Sequence, residues 1–145
     1  MGVLISNRQN KYRISLKNLR KKSKFILSAL GCHNGELSIV IVDDPQIEII
    51  NRQYLNRSRP TNVLAFPMQE GSFSDINPFL LGDVVISAET CDKEAKAAGI
   101  DFNERFDQLL VHGILHLFGY DHENDEKEAS KMEKKSVELL KIMKD

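Results

Sequence analysis

Apolar positions recur along this chain with two different periods, and the switches between them mark out its elements. The opening "VLIS" reads as a short strand. Ser15 then caps a helix whose apolar face is Leu16, Leu19, Ile26 and Leu30, with Gly31 as its stop. Its other face carries Arg20, Lys21, Lys22 and Lys24. In "ELSIVIVD" the alternation turns Leu37, Ile39 and Ile41 inward, which predicts a strand. Asp43-Asp44-Pro45 is a cap followed by a proline suited to the first helical turn, so a helix is expected to run to about Tyr54. The polar "NRSRP" breaks the pattern, "TNVLAFP" reads as a strand ended by Pro67, and residues 68–80 read as a loop. "LGDVVISAE" is the next strand, followed by a helix from about Glu89 to Ala98 that stops at Gly99. Asp101 or Asn103 starts another helix, carrying Phe106, Leu109, Leu110, Ile114 and Leu117 and stopped by Gly119. A last amphipathic helix turns Met132, Val137, Leu140 and Met143 inward. The order β-α-β-α-β-β-α-α-α predicts an α+β fold: a single domain over residues 1–145, with a mixed sheet of about four strands covered by helices.

Composition agrees. The 145 residues are 41% hydrophobic and 28% charged, the balance of a globular domain able to bury its own core. No apolar run approaches the ~18–20 residues of a membrane span. "MGVLISNRQN" lacks the marks of a secretory leader, so a cytoplasmic protein is expected. Cys32 and Cys91 lack CxxC spacing and read as reduced and structural. The net charge of −1 conceals an asymmetry: residues 1–64 carry 11 Lys/Arg against 4 Asp/Glu, and residues 65–145 carry 9 against 17. The basic half suits either solvent or a polyanion.

The candidate chemistry lies in "VHGILHLFGYDHEND", residues 111–125, which holds three of the chain's four histidines. His112 and His116 are four apart and so share one helix face. Gly119 lets the chain turn, and His122 returns from the following loop. One core histidine would ordinarily be satisfied by backbone partners, but three at this spacing point to a metal. Neutral imidazoles suit Zn²⁺, and three protein ligands leave a fourth position open, as in catalytic sites. The helix-turn near the C-terminus is therefore read as metal-binding. Imidazole-only ligation also predicts metal loss below about pH 6, near the reference histidine pKa. The spacing matches that of metzincin proteases, where a Glu general base follows the first His. Here that position is Gly113, which argues against a peptidase. Asp121 is the nearest carboxylate, as a base, as a partner orienting an imidazole, or as a turn residue.

Together with "PTNVLAFP" (60–67) and "LGDVVISAE" (81–89), the histidine segment resembles the YbeY endoribonucleases, also called rRNA maturation factors. The resemblance covers essentially the whole chain. It implies one zinc ion on His112, His116 and His122, with these histidines as the catalytic centre. It also implies cleavage of single-stranded RNA, maturation of the 3′ end of small-subunit (16S) rRNA, and a part in ribosome quality control. Expected partners are rRNA, the small ribosomal subunit and its assembly factors, with neither DNA nor membrane among them. One departure stands out. Many family members place a substrate-binding Arg six residues before the Thr of this motif, and here that position is Leu55. Arg57 and Arg59, two and four residues later, are the candidates to replace it.

Phosphodiester hydrolysis needs a nucleophile and stabilisation of charge on phosphoryl oxygens. A histidine-held metal can serve either need, and RNA also offers its own 2′-OH as nucleophile. Arg57 or Arg59 would clamp a phosphate bidentately. The basic helix from Arg20 to Lys24 would guide the backbone if it shared the cleft's face. Phe73 and Phe79 are candidates to stack on unpaired bases, whereas Phe66 reads as core. Two other functions stay open: an assembly factor acting mainly by binding, with structural zinc, and, more remotely, a zinc peptidase.

Overall fold

A computed structural model describes residues 2–56, 61–68, 79–120 and 125–144. The elements follow the expected order: β1 (Val3–Asn7), α1 (Leu16–Ala29), β2 (Glu36–Val42), α2 (Asp44–Leu55), β3 (Val63–Pro67), β4 (Leu80–Ser87), α3 (Ala88–Ala98), α4 (Phe102–Leu117) and α5 (Glu126–Lys144). The four strands form one mixed sheet in the order β1-β2-β4-β3. β1 and β4 run parallel to β2, and β3 is antiparallel to β4 with Val63 opposite Ile86. Pro67 closes β3 on the sheet's edge, where a missing backbone N–H costs least.

Local signals explain where helices begin. Ser15 Oγ accepts from the Asn18 amide, Ser87 Oγ accepts from the Thr90 amide, and Asp43 with Gln46 forms a reciprocal capping box. β4 is buried on both faces. Val84 and Ile86 join the main core beneath α1, α4 and α5, while Val85 joins a smaller cluster with Val42, Leu64 and Ile47 of α2. Helix α4 is the centrepiece of the main core. Phe106, Leu109, Leu110, Val111, Ile114, Leu115 and Leu117 are all buried, leaving only a narrow polar stripe.

Two predicted helix faces need correction. In α1, Leu16 is exposed and Leu27 is buried in its place. The stripe also contains buried Ser23, whose Oγ donates to the Leu19 carbonyl at 2.8 Å, so a hydroxyl fills a core position at no hydrogen-bonding loss. In α5, Met132 and Leu139, seven residues apart, are the buried pair, with Leu140 and Met143 packed against the core. Val137, expected inside, is 55% exposed. Both cysteines are free. Cys91 is fully buried, and burial pushes its thiol up to about 12, which suits an inert core residue. Among the described residues no helix is long and apolar enough to cross a membrane.

Candidate metal centre and adjoining cleft

The polar stripe of α4 is Arg105, Gln108, His112 and His116, spaced three, four and four residues apart, so the four line one side of an otherwise buried helix. The two imidazoles meet there. His112 Nε2 and His116 Nε2 lie 3.0 Å apart, with the rings inclined at 76°. Two nitrogens bound to one tetrahedral zinc at about 2.0–2.1 Å would be roughly 3.3 Å apart, so the pair needs to open by only a few tenths of an ångström. The same separation suits an N–H···N bond between two neutral rings, so either a proton or an ion can hold them together. Both side chains are half-buried, which limits competition from solvent.

Gly113 has a second role that the sequence did not reveal. A Cβ at this position would lie 2.6 Å from Val84 Cγ1 and 3.1 Å from Val63 Cγ2. The helix thus rests directly on β3 and β4. A side chain at residue 113 would point into that contact rather than toward the histidines, so this packing could not present a protease-like carboxylate to the site. After Leu117 the helix ends through Phe118 and Gly119, whose φ of +93° is a conformation open to glycine. The Gly119 amide donates to the His116 carbonyl and the Tyr120 amide to that of Leu115, fixing the turn. His122 and Asp121 lie just beyond it, outside the described residues, and so do Arg57, Arg59 and Phe73. Among the described residues no three His, Cys, Asp or Glu side chains cluster for a metal.

His112 opens onto a cleft of about 390 Å³ between α4, α5 and the start of β3. One wall is a hydrogen-bonded network that the sequence reading missed. Glu94 of α3 accepts from Arg105 Nε at 3.1 Å and Nη2 at 2.9 Å, and from Asn62 Nδ2 at 3.2 Å. Arg105 Nη1 donates to Gln108 Oε1 at 2.7 Å, and Asn62 Oδ1 accepts from the Val63 amide. The segment that leads out of residues 57–60 is thereby tied to the histidine helix. Asn62 sits within the "PTNVLAFP" motif, and Arg105 and Gln108 lie seven and four residues before His112. Helical spacing was the available signal for the last two.

Other expectations resolve differently. Lys22 pairs with Asp107 at 2.9 Å, and Asp107 lies about 140° around α4 from His112. Helix α1 therefore flanks the opposite side of α4, and its basic face does not share the cleft. Phe66 packs against the smaller core cluster and meets Tyr54 edge-on, as its core reading predicted. Phe79 is 47% exposed. Leu55, at the position of the family arginine, is the exposed last residue of α2, and Asn56 follows as a left-handed cap.

The family model described as Endoribonuclease YbeY matches residues 4–144. The chain belongs to this family. The proteins named Endoribonuclease YbeY in Geobacter metallireducens and Geobacter sulfurreducens are each 50% identical to it over 144 residues, spanning 99% of this chain and 96% of theirs. A solution structure of a Thermotoga maritima protein aligns with a TM-score of 0.69 at 27% identity, covering 95% of this chain and 86% of that one. YbeY membership accounts for the joint presence of the histidine segment and the two strand motifs on a single-domain α+β scaffold with a four-stranded mixed sheet.

Proposed function

We propose that this chain is a metal-dependent, single-strand-specific endoribonuclease. On this reading it matures the 3′ end of small-subunit (16S) rRNA and takes part in ribosome quality control in the cytoplasm. Family membership supports RNA as substrate. The observation that carries the metal reading is the convergence of His112 and His116 at 3.0 Å, with His112 on the rim of a cleft and His122 six residues after His116 in sequence. These residues fit zinc, with His122 as third ligand and one position left open. When bound there, zinc supplies Lewis acidity and an acidified water. The chain's own residues do the rest: the histidines would hold and orient the ion, and their half-buried surroundings limit bulk water. The small ribosomal subunit and its assembly factors are the proposed partners.

Arg57 and Arg59 are proposed to bind substrate phosphate. In sequence they stand five and three residues before Asn62, which lines the cleft with His112. Arg57→Ala and Arg59→Ala, assayed separately, are expected to show one variant with KM raised about 10-fold, the scale of one lost charge-assisted contact. If neither weakens RNA binding or cleavage, the replacement for the family arginine lies elsewhere.

The reading as a whole is tested by metal analysis of the purified protein, paired with cleavage of a single-stranded rRNA fragment. One zinc per chain is expected, and cleavage should stop on chelation. Zinc and activity should be lost together as pH falls below about 6, because the imidazoles must be neutral to bind. Cleavage that continues in metal-free protein would overturn the proposal. Zinc retained stoichiometrically well below that pH would mean that ligands other than imidazole hold it.

A further inference from the structure

We propose that the cleft beside His112 is a subsite for one unpaired nucleobase flanking the cleaved bond. This deepens the endoribonuclease reading and rests on it. Three observations support the assignment. First, Val137 is 55% exposed on a helix face that the core does not use, yet it lines this cleft with half-buried Leu140. The two form an apolar wall, the kind of surface on which a base face rests. Second, Gln108 also lines the cleft with one end of its amide committed: Arg105 can only donate, so its bond from Nη1 engages the Gln108 carbonyl oxygen and leaves the amide Nε2 as the donor end. Ser136 adds a hydroxyl from α5. A donor pair beside an apolar wall matches the edge of a base carrying a carbonyl oxygen or ring nitrogen as acceptor. Third, the volume of about 390 Å³ accommodates one nucleotide unit, and His112 borders it, so a base seated there has its own phosphodiester next to the histidine pair.

A paired base cannot enter, because its edge is already hydrogen-bonded and its faces are stacked. Preference for single strands then arises from this pocket rather than from the metal.

The test uses single-stranded RNA oligonucleotides with one abasic ribose placed in turn at each position around the cut. Wild type, Val137→Glu and Gln108→Ala are compared, with cleavage and fluorescence-anisotropy binding measured on the same strands. Zinc content and urea stability confirm that each variant is intact. One abasic position is expected to reduce wild-type binding and cleavage about 10-fold, the scale of losing one stacked base. Val137→Glu should cost an intact strand a similar factor and add nothing at that abasic position. Tolerance of abasic riboses at every position would overturn the subsite, and so would a Val137→Glu loss that multiplies fully with the abasic loss. Absent cleavage with a preserved abasic effect on binding would instead sink the endoribonuclease reading and leave the base-binding pocket standing.

Discussion

Replacing His112 by Ala is expected to reduce RNA cleavage at least 100-fold and bound zinc to a small fraction, while the fold survives. His112 belongs to the polar stripe of α4 and not to its buried face, and Ala is the best helix former, so the stability change should stay within about 1 kcal/mol. On the proposed metal reading the activity loss is large because one ligand of three is removed, and two imidazoles hold a metal weakly. His116→Ala should behave alike, since its Nε2 is the other half of the 3.0 Å pair. The measurement combines circular dichroism, metal analysis and cleavage of a single-stranded rRNA fragment. A folded, metal-free His112→Ala protein that cuts RNA at the wild-type rate would end the metal-catalysis reading. Persistence of small-subunit binding without cleavage would show that binding and catalysis are separate capacities.

Gly113→Ala is expected to destabilise the protein, although the same change usually stabilises a helix by up to about 1 kcal/mol. The new methyl would meet Val84 Cγ1 at 2.6 Å and Val63 Cγ2 at 3.1 Å, both on strands held in place by their neighbours. Overpacking of this kind costs about 1–3 kcal/mol and outweighs the propensity gain. Gly113→Glu, the protease-like residue, should fail to fold stably, because it would also bury a carboxylate against two valines. Urea denaturation of Gly113→Ala, Val84→Ala and the double variant isolates the contact. A coupling of about 1 kcal/mol in favour of the double variant is expected. Additive effects, or a Gly113→Ala protein more stable than wild type, would contradict direct helix-to-sheet packing at this point.

Much of this was legible from periodicity. Element order, the capped helix starts, the buried face of α4 and the i, i+4 histidine pair all follow from local spacing. The cleft wall did not, because it depends on strand order. Placing β3 at the sheet edge beyond β4 brings Asn62 to Glu94, 32 residues away, and no period in the sequence encodes that contact. In helix α5 only Val137 departs from the predicted face, for a related reason. Val137 and Leu139 are equally apolar, and only the packing of α5 on α4 decides that Leu139 is 1% exposed while Val137 faces the cleft. The sequence itself shows that no carboxylate follows His112, but the contact of Gly113 with Val84 is again a tertiary fact.

The Arg105–Glu94 pair also has a consequence for how this chain can vary. Arg105 stands in the cleft, but its charge is matched by a carboxylate 2.9 Å away, so it contributes little net attraction for a polyanion. On the proposed function, attraction then comes from cations carried by a different stretch, and the segment holding Arg57 and Arg59 leads in sequence to Asn62 at the cleft. On that proposal, metal-holding falls to the histidine segment and phosphate-holding to residues before Asn62, which are separate pieces of the chain. An arginine shifted by two or four positions in sequence leaves the spacing of the histidine segment unchanged, so the proposed exchange of an arginine at Leu55 for Arg57 or Arg59 asks nothing of the histidine helix.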